Sequence, residues 1–271
     1  MMNIQGSVEE LLQRLAPLID IVPRREAGDL VWNGQKFEYV DLHSFYYQFK
    51  QIFGEDLYNF DAITETPRII DCGAHVGLAS LYFLKNYPHA RLTSFEADPL
   101  IFQVLERNLF NNGCYNVVAE QKAIWTHEEG VGFNSTADDS GAIRTGGARV
   151  PSVRLCDLLA KEGRVDLLKM DIEGAEYDVV LDCADVLFKV DRLIIELHVL
   201  NQNEVNCPRI GKLLSLLEKQ RFRYILNDLH YATWVGRAQK PPFRRAPTDR
   251  FICTVFAWKE IVDQNNLSEK N

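Results

Sequence analysis

The stretch that most constrains this chain is 68–77, RIIDCGAHVG. Apolar residues run into Asp71, and Gly73 and Gly77 frame a short turn before LASLYFLKNY. The pattern predicts a buried strand, a glycine turn and the first turns of a helix. With no Cβ at the glycines, a ligand can lie on the backbone N–H groups at the helix start. The spacing is Gly-x-x-x-Gly rather than Gly-x-Gly-x-x-Gly, so the turn alone implies a nucleotide-like ligand without saying which.

The remainder of the chain surrounds this turn with alternating strands and helices. Residues 7–19, SVEELLQRLAPLI, carry the capping-box pair Ser7 and Glu10, and Leu11, Leu12, Leu15, Leu18 and Ile19 share one helical face. A polar, turn-rich segment is expected to about residue 36. Residues 41–53 predict a second amphipathic helix whose Phe45, Tyr46, Phe49 and Phe53 either pack on the main domain or cover the ligand pocket. Residues 1–66 are therefore expected as an N-terminal helical extension. From 68 onward the expected order is strand 68–72, helix 76–86, strand 91–96, helix from Pro99 to Gly113, and strand 116–125. A polar hairpin or loop insertion follows at 126–150, then helix 155–162, strand 165–170, helix 175–183, strand 191–197, helix 207–220 and strands 222–228 and 251–258. Near-continuous apolar strands alternating with helices mean a mostly parallel sheet covered on both faces. Three prolines in 237–250 leave no helix between the last two strands, which should pair antiparallel. The main domain is expected over 67–260, with 261–271 as a flexible tail.

A net charge of −8 and a pI near 5.3 argue against a nucleic-acid binder, which normally carries a basic face. No apolar run approaches the ~18 residues of a membrane helix, and MMNIQGSVEELL lacks the basic-then-apolar form of a signal peptide. The chain is expected in the cytoplasm, with homo-oligomer formation left open. Its six cysteines are scattered without a C-x-x-C pair, which points to reduced thiols rather than a zinc site. Cys72 is expected as a small residue packed beneath the glycine turn.

In a parallel sheet, ligands bind at the carboxyl ends of the strands. The first strand offers Asp71 and the turn with His75. The second ends in Glu96-Ala97-Asp98, where Glu96 either accepts both hydroxyls of a ribose or caps the next helix. The third ends in Gln121-Lys122-Ala123, whose backbone could meet an adenine edge. The fourth ends in KMDIEGAE, gathering Lys169, Asp171, Glu173 and Glu176; the two glutamates could also simply favour the following helix N-terminus. The fifth ends in LIIELHVL. Glu196 and His198 share one face of it, and His198 is either a general base oriented by a carboxylate or a structural hydrogen-bonder.

The succession DCGAHVG, SFEADP, QKAI, DSGAI, KMDIEGAEYDV and LIIELH resembles the FkbM family of S-adenosylmethionine-dependent O-methyltransferases, over about 53–258. The resemblance implies a Rossmann-like seven-stranded methyltransferase sheet, mostly parallel, with its last strand antiparallel. It also implies that Asp71 to Gly77 hold the methionine part of S-adenosylmethionine, that Glu96 binds the ribose, that Lys122 and Ala123 lie by the adenine, and that Asp171 lies near the sulfonium. The family often has Asn where this chain has His75.

Methyl transfer to a hydroxyl is an in-line displacement, so alignment dominates and removal of the hydroxyl proton assists. His198 or Asp171 is expected to accept that proton, with Glu196 positioning His198. The acceptor side is expected from the insertion, with Ser140, from Glu173, and from loop 229–250, where Tyr231, Trp234, Arg237, Lys240, Arg244 and Arg245 combine sugar-stacking rings with anion-gripping cations. That combination suits a sugar, a glycan or another hydroxylated natural product such as a polyketide; a solvated loop is the plain alternative. Asp171, Glu173, Glu196 and His198 are also hard ligands for a divalent ion, but no metal is assigned. Two competing readings are a nicotinamide-dependent oxidoreductase, which would usually carry Gly-x-Gly-x-x-Gly and a second domain, and a non-catalytic cofactor-binding subunit.

Overall fold

The computed structural model describes residues 2–135, 141–143, 146–199, 207–231 and 251–260. The N-terminal region holds β1 (Met2–Ile4), α1 (Val8–Leu15), β2 (Gly28–Trp32), β3 (Gln35–Tyr39) and α2 (Leu42–Phe49), which runs on into a wider π-helical turn at Lys50–Gly54. The capping box forms as expected: Glu10 N donates to the Ser7 hydroxyl and Ser7 N donates to the Glu10 carboxylate. The helix is shorter than expected, because Pro17 has no N–H to continue the ladder.

The segment expected as turn-rich is instead a hairpin, so residues 1–66 are not purely helical. β2 and β3 pair antiparallel around Asn33-Gly34, both at positive φ (49° and 83°), the geometry of a tight hairpin turn that Asn-Gly favours. β1 adds to β2 in parallel, completing a three-stranded sheet. Leu30, Trp32 and Phe37 are buried; the Trp32 ring meets Phe49, and the Phe37 ring meets Phe45, Phe49 and Phe53 of α2 and its π-helical turn, edge to face. This aromatic cluster is continuous with Leu78, Leu81, Tyr82 and Phe83 of α3 (Leu78–Asn86), so the N-terminal region and the main sheet share one core.

The main sheet contains β4 (Arg68–Cys72), β5 (Arg91–Phe95), β6 (Val118–Glu120), β12 (Leu167–Met170), β13 (Arg192–Val199), β14 (Arg223–Tyr231) and β15 (Phe251–Trp258). Between β6 and β12 the chain forms β7 (Ala123–Trp125), β8 (Val131–Asn134), β9 (Ala142–Ile143), β10 (Ala148–Val150) and β11 (Ser152–Arg154). The strand order is β14-β15-β13-β12-β4-β5-β6. The central pairs are parallel, and β15 runs antiparallel between β13 and β14, as the prolines of 237–250 require. The flanking helices are α3, α4 (Pro99–Asn111), α5 (Leu155–Lys161), α6 (Glu176–Asp182) and α7 (Cys207–Lys219). All five residues of β4 are buried, as expected of a strand covered on both faces. The insertion is a small antiparallel sheet, β10-β8-β9, around Val131, Phe133 and Val150. The order reverses beside β4, so a crevice opens where the β4, β5 and β12 carboxyl ends meet. Residues 261–271 lie outside the described residues, and no described helix is long and apolar enough to cross a membrane.

Candidate active site

The crevice is an open cleft of about 620 Å³ at the carboxyl ends of the strands. Gly73, His75, Glu96, Lys122, Ala123, Asp171 and Glu173, all singled out from sequence, line it together. Phe95, Ile101, Ile124, Phe133 and Ile143 supply its apolar wall.

Its floor is the turn after β4. Gly73 has φ +83°, and a Cβ there would stand 1.8 Å from the Asp171 carbonyl oxygen, so only glycine lets the two strand ends approach. Gly77, φ +91°, starts α3 and would drive a Cβ to 2.6 Å from Leu105 Cδ1. It packs beneath the cleft and does not line it. Asp71 also lies beneath: fully buried, it pairs with Lys169 Nζ at 3.2 Å and accepts from the Ser80 hydroxyl. Lys169 Nζ in turn donates to the Gly73 carbonyl at 2.5 Å, fixing the turn from below. Burial works to lower the Lys169 pKa, but Asp71 prevails and holds the ammonium charged. Cys72, as expected, is packed away, and burial pushes its thiol up.

His75 takes a left-handed backbone, φ 49°, which Asn adopts readily and other residues less so. Its backbone N donates to Glu96 Oε2 at 2.9 Å, while its ring Nδ1 lies 3.0 Å from Gln48 Oε1. Gln48 comes from α2, so the N-terminal region both packs on the sheet and lines the cleft. Glu96 Oε1 accepts from Asp98 N at 2.8 Å; Asp98, not Glu96, caps α4 through Leu100 N and Ile101 N. Burial pushes Glu96 up to about 7, a large shift for a carboxyl.

Past Glu173 lies a cluster of charges. His198 Nδ1 is 3.0 Å from Glu176 Oε1, and its Nε2 is 3.5 Å from Glu173, 3.5 Å from Glu196 and 3.9 Å from Asp171. Burial opposes the charged imidazole, yet Glu173 and Glu176 raise its pKa well above the ordinary value, so the unliganded ring keeps its proton. The same cluster pushes Asp171 up to about 7, through burial first and Glu196 second, and raises Glu173 through burial. Glu176, not Glu196, makes the closest contact with the imidazole. Fully buried at the start of α6, Glu176 also accepts from Ile172 N and Gly174 N, which fixes the 171–175 loop. The sequence offered it only as a helix-start carboxylate, because strand β13 brings His198 to it from far along the chain.

Of the expected acceptor-side residues, Glu173 faces the cleft. Tyr231 is placed by its backbone only, opposite Phe251. Ser140, Trp234, Arg237, Lys240, Arg244 and Arg245 lie outside the described residues.

The methyltransferase FkbM domain matches residues 71–224, more than half of the chain. This chain belongs to the FkbM methyltransferase family. Methyltransferase sdnD of Sordaria araneosa is 32% identical over 171 residues, covering 49% of this chain and 66% of that one. The AMB antimetabolite synthetase AmbE of Pseudomonas aeruginosa is 28% identical over 257 residues, 74% of this chain but 12% of that protein. The chain thus spans less than two thirds of either relative. Among solved structures, methyltransferase FkbM from Methylobacillus flagellatus aligns with a TM-score of 0.46 at 16% identity, over 79% of this chain and 51% of that one. The cofactor of this FkbM methyltransferase is S-adenosylmethionine. The cleft fits it: Gly73 and His75 of the turn and the buried Glu96 carboxylate line it together, against an apolar wall of Phe95, Ile101 and Ile124.

Proposed function

We propose that this FkbM methyltransferase moves a methyl group to a hydroxyl oxygen of a sugar, glycan or polyketide-type natural product. One observation carries the reading: a single cleft holds a ribose-type acceptor, Glu96, at one end and a carboxylate, Asp171, at the other with its pKa at about 7. A carboxylate so poised suits a general base working near neutral pH.

When bound, the cofactor supplies an electrophilic methyl on a sulfonium. Glu96 would accept from the ribose hydroxyls, the Gly73–His75 turn would hold the methionine part, and Lys122 and Ala123 would border the adenine. Asp171, whose side chain is 30% exposed, takes the hydroxyl proton in this account. His198 is only 2% exposed and remains charged without a ligand, so it serves as the counter-charge that lets four carboxylates converge. Proton removal of this kind contributes ~10²–10⁴-fold, and alignment of oxygen, methyl and sulfur contributes the rest. The acidic net charge and the wall of Phe95, Ile101 and Phe133 favour a small or glycosidic acceptor over nucleic acid.

The test is single-turnover transfer of labelled methyl to a panel of sugars, glycosides and polyketide alcohols, with the linkage read by NMR. O-methyl product is expected; a methyl found on nitrogen or carbon contradicts the reading.

A further inference from the structure

Gln48 lines the cleft from outside the family-matched residues 71–224. We infer that its side-chain amide binds the α-carboxylate in the methionine part of S-adenosylmethionine, so that cofactor contact in this chain extends into the N-terminal region. The inference rests on the reading that places that part along the Gly73–His75 turn.

The fold leaves the Gln48 side chain little choice of direction. Asp41 caps α2 by accepting from Ser44 N at 2.7 Å. Phe45 and Phe49, four residues apart on one helical face, are buried in the aromatic cluster. Gln48 follows Phe45 by three positions, at the edge of that face, and is half-buried. The backbone then widens into the π-helical turn at Lys50–Gly54, whose Phe53 stacks on Phe49 with ring centroids 4.5 Å apart. The last turn of α2 is thus pinned on both sides, and it carries the amide to the His75 wall of the cleft.

The amide is also oriented. Its Oε1 stands 3.0 Å from His75 Nδ1. A carbonyl oxygen only accepts, so Nδ1 carries a proton and donates. This contact uses the oxygen and turns the two N–H donors of Nε2 away from the ring, where no group among the described residues accepts from them.

Donors are scarce at this end of the cleft. The turn's own N–H groups are largely engaged within the protein: Gly73 N and Ala74 N donate to the Phe95 carbonyl at 3.0 and 2.9 Å, and Gly77 N donates to the Ala74 carbonyl at 2.9 Å. His75 N donates to Glu96 Oε2. Among charged side chains lining the cleft, Glu96, Asp98, Asp171 and Glu173 stand against Lys122, which pairs with Glu120 at 2.6 Å on the wall proposed for the adenine. Lys169 lies beneath the turn, committed to Asp71 and the Gly73 carbonyl. The sulfonium and α-ammonium of S-adenosylmethionine suit such surroundings, but its carboxylate does not, and burying it requires hydrogen-bond donors. The neutral Gln48 amide supplies them beside the turn.

The test is calorimetric titration of the full chain with two probes, S-adenosylhomocysteine and its decarboxylated analogue, which keeps the nucleoside, sulfur and amine. Wild type is expected to prefer S-adenosylhomocysteine. Gln48→Met removes the amide, and Gln48→Glu keeps an oxygen for His75 Nδ1 but loses the N–H donors. Each should weaken S-adenosylhomocysteine at least tenfold, the scale of one hydrogen bond to a charged group. Neither should weaken the decarboxylated analogue by more than about twofold, which shows that the cleft is intact. Loss on both probes alike, or on neither, overturns the inference. Gln48→Glu matching wild type while Gln48→Met does not also overturns it, because the amide then only steadies the His75 ring. Wild type that binds both probes equally overturns it and leaves the cofactor reading standing. Wild type that binds neither probe removes the cofactor placement, and the inference with it.

Discussion

Gly73 and Asp171 meet so closely that a Cβ on the first would stand 1.8 Å from the carbonyl oxygen of the second. The contact joins the ends of the two neighbouring strands β4 and β12, one leading to the proposed cofactor turn and the other to the proposed base. Gly73→Ala must move backbone, and it must also hold φ +83° with a side chain. It is expected to cost ~1–3 kcal/mol of stability in urea unfolding and to weaken S-adenosylhomocysteine binding at least tenfold. Unchanged affinity would mean that the turn does not cradle the cofactor.

If Glu96 holds the ribose as proposed, cofactor binding is expected to depend on pH. With its pKa raised from 4.5 to about 7, the carboxyl is largely protonated below that value in the unliganded cleft. Ribose hydroxyls are best held by the ionised form, so affinity for S-adenosylhomocysteine should fall as pH drops from 8 to 5.5, by up to about tenfold per unit below the pKa. Glu96→Gln should bind weakly with a flat profile. The sign for folding is opposite: this group's stabilising contribution is fully present below pH 4.5 and is lost as pH rises through about 7. Calorimetric titrations across this range check the first part and thermal melts the second.

Asp171→Asn removes the proposed base while keeping its shape. Single-turnover methyl transfer should fall by ~10²-fold or more, with S-adenosylhomocysteine affinity within a few-fold of wild type. Equal loss of both would make Asp171 a binding residue only.

Lys169 sits fully enclosed between Asp71 and the Gly73 carbonyl. Lys169→Met strands a buried carboxylate and should destabilise the fold by about 3–5 kcal/mol. Adding Asp71→Asn should restore part of that loss in chemical denaturation, because the orphaned charge is removed.

Phe49 is fully buried between Trp32 and Phe53, in the core shared with α3. Phe49→Ala should cost ~3–5 kcal/mol, in one cooperative transition reported alike by probes on the N-terminal region and on the main sheet. Two separate transitions would show that residues 1–66 fold as an independent unit.

The parts of the fold that the sequence made legible are those where local pattern and burial agree. β4, β5 and β12 are short apolar runs, Gly73 and Gly77 punctuate a turn that needs them, and Ser7 with Glu10 marks a helix start. The β2–β3 hairpin was harder to read, because a strand with one solvated face looks polar, although Asn33-Gly34 between alternating residues is its local signal. In the site, Glu96 and Asp171 were readable from their places at strand ends. Gln48 and the role of Glu176 were not. Gln48 reaches the cleft only because α2 docks beside the turn, and Glu176 finds His198 only once β13 pairs with β12.

The most direct test of the account is a crystal structure of the full chain with S-adenosylhomocysteine. Density is expected in the cleft, with the ribose hydroxyls on Glu96, the homocysteine along the Gly73–His75 turn and the sulfur facing Asp171. Density elsewhere, or a chain that takes up NAD in the cleft and not S-adenosylhomocysteine, would contradict it.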